Sequence, residues 1–348
     1  MAVSTKPPVT EVSSLLAEMQ PDGSVRCGVC AHRCLVRPGR SGICGVRHNR
    51  GGTLICSAYG QVAAVGLDPI EKKPLFHVEP GSRSFSIATA GCPFHCRFCQ
   101  NWEIAQAPRL GVPVVERPLP PEQVVAQALE LGAQSIAYTY VEPTVFLEYA
   151  LDTARIARAA GLRNLFITDG YATPEANDLL AQVLDAANVD LKSFDDRFYR
   201  RLCGARLAPV LDTIRNMRAA GIWLELTTLV IPGWNDADDE LRAIAGWIVE
   251  ALGPATPWHI SRFFPAHQMY DVAPTPPATL LRAAAIGRAA GLHYVYVGNA
   301  PDLGYEDTRC AGCGELLIER SGYRTRSYLS DGGTCPRCAR PLEGVGLP

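Results

Sequence analysis

Residues 84–106 read SFSIATAGCPFHCRFCQNWEIAQ, an apolar run that passes directly into three closely spaced cysteines. Cys92, Cys96 and Cys99 form a C-x3-C-x2-C triplet. Three thiolates in one loop can hold three irons of a [4Fe-4S] cluster, which leaves the fourth iron open to a small molecule. A zinc ion usually takes four ligands from paired C-x2-C knuckles, and three structural cysteines are the plain alternative. The triplet therefore predicts a catalytic iron–sulfur site.

Outward from the triplet, residues 84 to about 300 alternate apolar runs with amphipathic stretches. Short continuous apolar runs of this kind are typical of buried strands. The seven runs are SFSIATA, SIAYTYV, LRNLFITD, NVDLKSF, WLELTTLVI, WHISRFF and HYVYVGN. Stretches between them, such as PEQVVAQALELG and PVLDTIRNMRAAG, have helical spacing and end at glycine. The alternation predicts an α/β fold, a partial (β/α)6-type TIM barrel with its active face at the strand C-termini, and a doubly wound open sheet is the alternative.

Polar residues stand at the ends of several predicted strands. A ligand with an amino acid end, a ribose and an adenine needs an acid for its ammonium, a cation for its carboxylate and polar partners for its hydroxyls. Each residue also has a structural reading: Glu142 as a helix cap, Lys192 as a surface lysine and His259 as a packed core histidine. The candidate ligand-binding residues are Glu142, Thr168, Asp169, Asp190, Lys192, His259 and Arg262.

These motifs resemble the radical S-adenosylmethionine (radical SAM) superfamily, whose signature is the cysteine triplet. Together, CGVCAHRCLVRPGRSGICGVR, GCPFHCRFCQNWEIAQ and YTYVEPTVFLEYALD resemble the AmmeMemoRadiSam-system enzymes, in the branch that includes the pyruvate formate-lyase activating enzyme. In that branch an acidic motif after the second strand holds the ammonium of S-adenosylmethionine, and a D-L-K motif on the fourth strand helps to bind it. The matching residues here are Glu142 and Asp190 with Lys192.

The resemblance covers almost the whole chain, and it implies an activity. One electron from the reduced cluster would cleave S-adenosylmethionine to methionine and a 5′-deoxyadenosyl radical, which abstracts hydrogen from a small molecule or a protein side chain. The resemblance also implies an electron donor such as flavodoxin or ferredoxin, and the family name suggests Memo-like and AMMECR-type proteins as partners. It does not imply a particular substrate.

The N-terminal region, residues 1–80, has four cysteines at C-x2-C-x3-C-x9-C spacing. Four thiols in one short segment indicate a bound metal, and zinc and an auxiliary iron–sulfur cluster both fit. His32 lies inside the segment and could replace one thiol, while scattered structural thiols are the other alternative. The candidate ligands are Cys27, Cys30, Cys34 and Cys44.

The C-terminal tail, residues 301–348, has the paired cysteines CAGC and CPRC on either side of a GYRTRSYL segment. Two such knuckles predict a zinc-ribbon or rubredoxin-like site that binds zinc or iron. A unit this small cannot build an adequate core alone, so metal binding would supply much of its folding energy. The candidate ligands are Cys310, Cys313, Cys335 and Cys338.

Composition limits the remaining possibilities. A chain of 348 residues with 47% hydrophobic content can bury a large core, which we place in residues 81–300 between the two cysteine-rich zones. Thirteen cysteines, mostly at metal-ligand spacing, suit a reducing compartment. The N-terminus lacks a signal-peptide core and no apolar run is long enough to span a bilayer, so we expect a cytoplasmic protein without a membrane partner.

Two other functions remain as alternatives. Activating enzymes of glycyl-radical enzymes carry F-x-D-G-P-G-x-R before the triplet, and HVEPGSRSFSIATAGC keeps only Pro80, Gly81 and Arg83 of it. Activation of a glycyl-radical enzyme is thus the first alternative function, and a zinc-ribbon nucleic-acid-binding or scaffold protein is the second. A net charge of −2, with basic residues spread through the helices instead of forming a stripe, makes a nucleic-acid partner the weaker prediction.

Cys203 stands alone after the fourth predicted strand, in RRLCGARLAP. Free cysteine packs readily as a small hydrophobic side chain, so we expect a plain buried thiol. If its loop faces the active site, the thiol could instead donate hydrogen.

Overall fold

The computed structural model describes residues 11–347, which begin with small antiparallel sheets. One sheet has the order β1-β6-β5 and a second the order β2-β3-β4. Glycines at the turns between these short strands allow the chain to reverse tightly. The strands are β1 (Val12–Ser13), β2 (Ala17–Met19), β3 (Val25–Cys27), β4 (Leu35–Val36), β5 (Arg47–Arg50), β6 (Thr53–Cys56) and β7 (Gln61–Val62).

An eight-stranded sheet forms the body of the molecule, in the order β16-β15-β14-β13-β12-β11-β9-β8. The strands from β9 onward pair in parallel, and β8 joins the edge antiparallel to β9. A short strand, β10, pairs with β7 instead. The strands are β8 (Ala64–Pro69), β9 (Arg83–Ala88), β10 (Arg117–Pro118), β11 (Ser135–Tyr138), β12 (Arg163–Thr168), β13 (Ala186–Asp190), β14 (Trp223–Val230), β15 (Trp258–Arg262) and β16 (Val295–Gly298).

Helices connect each parallel strand to the next, which is what parallel pairing requires. The main crossovers are amphipathic, and α3 begins with proline at its first turn, where no backbone N–H is needed. A π-helical turn, Tyr199–Cys203, follows α6. The helices are α1 (Trp102–Ala105), α2 (Ala107–Leu110), α3 (Pro121–Glu130), α4 (Leu147–Ala159), α5 (Pro174–Leu180), α6 (Asp196–Phe198), α7 (Leu207–Ala219), α8 (Asp238–Leu252) and α9 (Pro277–Ala289).

The C-terminal unit is a three-stranded antiparallel sheet of β17 (Thr308–Arg309), β18 (Leu316–Ser321) and β19 (Arg324–Ser327). It packs against the segment between β8 and β9. The guanidinium of Arg320 donates from Nη2 to the Phe76 carbonyl at 2.7 Å. A small second core of buried aromatic and aliphatic side chains fills this contact.

The α/β class predicted from the alternation of runs is confirmed, and each of the seven predicted strands is present. The large sheet starts upstream of residue 81, because β8 from the N-terminal region is part of it. Residues 64–69, AVGLDP, are mostly half-buried and lack a continuous apolar run, so periodicity gives no strand signal there. Within residues 11–347, no helix has both the length and the apolar composition needed to cross a membrane.

Candidate active site and cysteine centres

A cavity of about 610 Å³ opens at the carboxyl ends of the parallel strands. Its wall begins at the loop after β9, with Cys92, and continues around to Asn299 after β16. Each strand between them contributes at least one residue at or just after its C-terminal end. The carboxyl ends of parallel strands are where α/β proteins place their ligand sites, so this cavity is the candidate active site.

The cysteine triplet lies in the loop between β9 and α1, and all three thiols line the cavity. Cys92 and Cys96 are buried, and Cys99 is half-buried. Burial raises the pKa of the Cys92 thiol, and burial followed by the neighbouring Cys96 raises that of Cys99 to about 12. These groups therefore bind a metal only by exchanging their protons for it.

Cys203 is fully buried, as expected, but it lies against a member of the triplet. A hydrogen bond with the Cys203 thiol, together with burial, raises the pKa of Cys96. The backbone N–H of His95 donates to the Cys203 carbonyl at 2.7 Å, which fixes the triplet loop on the π-helical turn. This turn thus supports the loop from outside the cavity.

Glu142 follows β11 and has a buried carboxylate in the cavity wall. It caps the turn Pro143–Phe146 by accepting from the Thr144 N–H at 3.1 Å, so the capping role considered from sequence is present. It also accepts from the Thr168 hydroxyl at 2.8 Å and from the Asp169 N–H at 2.6 Å. Burial and the nearby Asp169 carboxylate raise the pKa of Glu142 to about 7.

Lys192 joins the third and fourth parallel strands at the cavity wall. Its Nζ lies 2.9 Å from Asp169 Oδ1 and 2.7 Å from Asp190 Oδ2. Burial alone would lower the pKa of Lys192, but the two carboxylates outweigh burial and raise it. The Cys92 thiol lies 3.6 Å from Asp169 Oδ2, so this charged group connects the triplet to Glu142.

Comparison with known proteins identifies the family. Residues 86–245 match the model of the radical SAM superfamily, and this span contains the triplet, Glu142 and Lys192. The chain belongs to the radical SAM superfamily. Members of this superfamily are enzymes that use a [4Fe-4S] cluster and S-adenosylmethionine and generally need an electron donor.

Several individual proteins are similar to this chain. An uncharacterized protein of Methanocaldococcus jannaschii is 41% identical over 334 residues, which is 95% of this chain and 99% of that protein. The isethionate sulfite-lyase activating enzyme of Oleidesulfovibrio alaskensis is 30% identical over 106 residues, 30% of this chain and 34% of that one. A solved radical SAM methyltransferase from Sphaerobacter thermophilus is 20% identical, with a TM-score of 0.49 over 68% of this chain and 71% of that one.

His259 lines the cavity of this radical SAM protein, but its ring is held by a buried acid. Its Nε2 lies 2.6 Å from Glu225 Oε2, and the ring stacks on Tyr296. Glu225 also accepts the backbone N–H groups of Phe76 and His77. The single acid in the apolar run WLELTTLVI was the sequence signal for this pair, since a buried Glu needs a partner.

Of the seven predicted ligand-binding residues, all within the described chain, Arg262 lies outside the cavity lining. Its Nε donates to the Thr275 carbonyl at 2.9 Å, and its guanidinium lies over the Phe264 ring. Side chains alternate between the two faces of a strand, and these contacts fix Arg262 away from the cavity. The other six are in the wall.

The part of the cavity away from Glu142 is lined by residues that sequence reasoning missed. Lys73 is buried there, with its Nζ 2.6 Å from Asp68 Oδ2 and over the Tyr140 ring. Burial would raise the pKa of Asp68, but the lysines beside it outweigh burial and lower it. Tyr323, at the turn between β18 and β19, brings the C-terminal unit to the mouth of the cavity.

The C-terminal cysteines of this radical SAM protein converge on one point, with all four Sγ atoms within 4.8 Å of one another. Cys310 and Cys338 are 3.5 Å apart at sulfur, and Cys313 and Cys335 are 3.6 Å apart. Thiolates about 2.3 Å from one tetrahedral zinc ion stand about 3.8 Å from one another. The four thiols therefore fit a single ion such as zinc.

The triplet differs from the C-terminal set in having three cysteines in one loop, all of which line the large cavity. Three thiolates can bind three irons of a [4Fe-4S] cluster and leave the fourth iron open to a ligand in that cavity. The donor set of Cys92, Cys96 and Cys99 thus fits the [4Fe-4S] cluster of the superfamily. The N-terminal cysteines surround a separate small cavity on the other side of the triplet loop.

Proposed function

We propose that this radical SAM enzyme binds its cluster through Cys92, Cys96 and Cys99 and binds S-adenosylmethionine beside Glu142, with the substrate in the outer part of the same cavity. When bound, the cluster supplies the electron that cleaves S-adenosylmethionine to methionine and a 5′-deoxyadenosyl radical, which takes hydrogen from the substrate. The observation that carries the proposal is the connected group of Cys92, Asp169, Lys192 and Glu142 in one cavity wall.

Glu142 has the properties of an ammonium acceptor. Its carboxylate is buried and takes three neutral hydrogen-bond donors, but no ion pair among the described residues includes it. A buried carboxylate without a cation is costly, and its pKa of about 7 reflects that cost. The ammonium of a bound amino acid group supplies the opposite charge.

Lys192 positions the neighbouring acids. With Asp169 and Asp190 on either side of its Nζ, it holds both carboxylates at the cavity wall. Asp190 lies at the end of β13, where its second oxygen can accept from a ligand hydroxyl. Thr168 orients Glu142 through its hydroxyl, and His259 forms the wall farther along the sheet.

The shape of the cavity supports a partial barrel. Residues after β9 and after β16, the two ends of the parallel series, line the same space. A sheet brings its first and last parallel strands to one cavity only by curving. Lys73, Glu306 and Tyr323 then enclose the outer part, which we assign to an unidentified small-molecule or protein side-chain substrate.

The proposal also includes a C-terminal metal, an electron donor and protein partners. We assign zinc to the C-terminal cysteines, since their sulfur spacing fits one tetrahedral ion. A flavodoxin or ferredoxin is the expected electron donor. Memo-like and AMMECR-type proteins are the proposed partners on the motif resemblance, and co-purification of the anaerobic protein with each of them tests that assignment.

Activation of a glycyl-radical enzyme is the second candidate. The specific observation in its favour is the similarity to the isethionate sulfite-lyase activating enzyme over 30% of this chain. The chain lacks the Asp-Gly of the activase motif before the triplet. A glycyl-radical signal in electron paramagnetic resonance of a co-incubated glycyl-radical enzyme would favour this candidate over the first.

The test is anaerobic turnover. Protein reconstituted with iron and sulfide is mixed with dithionite and S-adenosylmethionine, and 5′-deoxyadenosine is quantified. The wild type should form it and Cys99→Ala should not, while Cys338→Ala, which removes an exposed cysteine of the C-terminal unit, should retain formation. Absence of product from wild type with an intact cluster would contradict the proposal.

A further inference from the structure

The outer surface of the triplet loop carries an arginine without a counter-charge. Arg97 lies between Cys96 and Cys99, and its side chain is exposed. Its backbone is held on both sides, because its N–H donates to the Leu202 carbonyl at 2.9 Å and its carbonyl accepts the Gln268 N–H at 2.8 Å. Among residues 11–347, no acid forms an ion pair with its guanidinium. A free positive charge is thus held in solvent beside a proposed cluster ligand.

The π-helical turn next to this loop adds further positive charge. Residues 195–206 read DDRFYRRLCGAR, with four arginines and two aspartates. The two aspartates pair with the arginines at positions 197 and 200. The other two, Arg201 and Arg206, are exposed and form no ion pair within the described chain. Arg201 lies over the Trp234 ring, which leaves its charge uncompensated.

Exposed aromatic side chains border these arginines. Trp102 is 36% exposed and stacks on His267, with 5.0 Å between the ring centroids. The next residue, Gln268, bonds to the backbone of Arg97, so one loop contacts both side chains. Tyr270, in the same loop, is 70% exposed. Arginine and aromatic residues are enriched in protein interfaces, whereas lysine and acids are depleted. We call this surface the arginine face, and its members are Arg97, Trp102, Arg201, Arg206 and Tyr270.

The arginine face lies close to the triplet but outside the active-site cavity. Arg97 follows Cys96 directly, so their Cα atoms are about 3.8 Å apart. Arg201 precedes by two residues Cys203, which contacts Cys96. None of the members of the face, all within residues 11–347, lines the large cavity. A protein docked on this face would therefore approach the proposed cluster while the cavity stays open to its ligands.

We infer that the arginine face docks an acidic electron-transfer protein, of the flavodoxin or ferredoxin kind. The inference rests on the proposed function, in which the reduced cofactor of that protein loses one electron and the cluster at the triplet gains it. Positive charge on the face steers a negatively charged partner and accelerates its association. Electron-transfer complexes are often weak and bury less than about 1,200 Å², so a small face is sufficient.

The first experiment measures binding of an oxidised flavodoxin to the full-length, anaerobically reconstituted protein by isothermal titration. Binding to the wild type should weaken at high salt, because salt screens exposed charges. The double variant Arg97→Glu/Arg201→Glu should bind about tenfold more weakly at low salt. Arg218→Glu is the matched control and should bind like the wild type. Arg218 is also exposed and without an ion pair in residues 11–347, but it lies in the last turn of α7, away from the triplet.

The second experiment measures the rate of cluster reduction by stopped-flow absorbance. Reduced flavodoxin should reduce the double variant about tenfold more slowly than the wild type, because fewer encounters are productive. Dithionite needs no docking face and should reduce both proteins at the same rate. Dithionite also separates this inference from the proposed function: if it yields no 5′-deoxyadenosine with the wild type, the proposed function fails, whereas binding of flavodoxin still tests the face.

Several results would overturn the inference. The first is equal binding by the wild type and the double variant, and the second is an equal loss in Arg218→Glu, which would show an effect of net charge alone. Binding to the wild type that is absent, or that does not change with salt, would also overturn it, and this result needs no variant to fold. Tighter binding of a single-stranded RNA oligonucleotide, lost in the double variant, would assign the face to nucleic acid instead.

Discussion

The contact between the N-terminal region and α4, here called the seam, differs from the C-terminal unit in how its buried polar groups are partnered. At the seam, Glu148 and Arg47 lie 2.8 Å apart with side chains 5% and 2% exposed, so each charge is balanced within the chain. In the C-terminal unit, four thiols converge on one point. A balanced pair indicates a structural contact, whereas converging groups of one kind indicate a ligand from outside the chain.

Both arrangements also occur at the wall of the active-site cavity, where His259 is paired with Glu225 as Arg47 is paired with Glu148 at the seam, and Glu142 has no such partner among the described residues. Burial alone would raise the pKa of Glu225 and of Glu148, but His259 beside the first and Arg47 beside the second lower these pKa values. Burial and Asp169 instead raise the pKa of Glu142 to about 7. Like the C-terminal thiols, Glu142 therefore has no balancing charge among the described residues, which supports the proposed contact with a ligand ammonium.

The largest effect is expected from removing a C-terminal ligand. Cys335→Ser leaves three thiols in a unit with a small core, and structural zinc contributes on the order of 10 kcal/mol to such folds. Zinc should be lost, and limited proteolysis should cut between residues 305 and 347 while the body stays intact. Arg337→Ala, a neighbouring exposed residue, should remain resistant. Equal resistance of both variants would show that packing alone holds this unit.

The second-largest effect is expected from breaking the buried ion pair at the seam. Glu148→Gln leaves Arg47 buried without its counter-charge, and breaking a buried ion pair costs about 3–5 kcal/mol. Chemical denaturation of the reconstituted protein measures this loss. The exposed pair of Asp212 and Arg215, 3.3 Å apart, gives the control. Asp212→Asn should change the free energy of unfolding by less than about 1 kcal/mol. If both variants lose a similar free energy of unfolding, the buried pair at the seam contributes no more to stability than an exposed pair.

A smaller effect is expected at the cavity. Glu142→Gln removes the negative charge offered to the ligand ammonium, and charge-assisted hydrogen bonds are each worth about 1.5–3 kcal/mol. Binding of S-adenosylmethionine, measured by isothermal titration, should weaken about 10- to 100-fold. Glu306→Gln changes an acid elsewhere in the same cavity lining and should bind normally. If Glu142→Gln binds as tightly as wild type, Glu142 is a capping residue only.

The last effect, comparable in size to the loss of binding, is a pH dependence of stability. The pKa of Glu142 rises from 4.5 to about 7 on folding, so the native state binds more protons than the unfolded state between these values. Stability from this group therefore falls as pH rises through that window. The free energy of unfolding of ligand-free wild type, relative to Glu142→Gln, should decline from pH 5 to pH 7 and then level off. If this difference in the free energy of unfolding does not change with pH, the Glu142 carboxylate already has a balancing charge in the folded protein.

Local patterns in the sequence were enough to predict the parallel strands, the triplet and the acids at strand ends. Each of these depends on residues within one segment, such as the glutamate before Pro143 or the C-x2-C knuckles. Contacts between distant segments were not predictable. Cys203 meets Cys96 across more than a hundred residues of chain, and Lys73 reaches the cavity from the turn that follows β8, a strand without apolar periodicity.

Two positions show why a strand-end location alone is insufficient. Arg262 and His259 both belong to β15, yet Arg262 is held outside the cavity by Thr275 and Phe264. His259 is fixed by Glu225 on the neighbouring strand β14. Which face a side chain takes depends on register, and which partner it meets depends on the neighbouring strand.

The turn at Gly322 and Tyr323 also sets an order of assembly. It covers the mouth of the cavity, but it belongs to a unit synthesised after the cavity floor that carries the triplet. Because domains form in the order in which the ribosome releases them, the floor is complete while its mouth is still uncovered. Insertion of the proposed cluster at the triplet can thus precede the folding of the C-terminal unit over the mouth of the cavity.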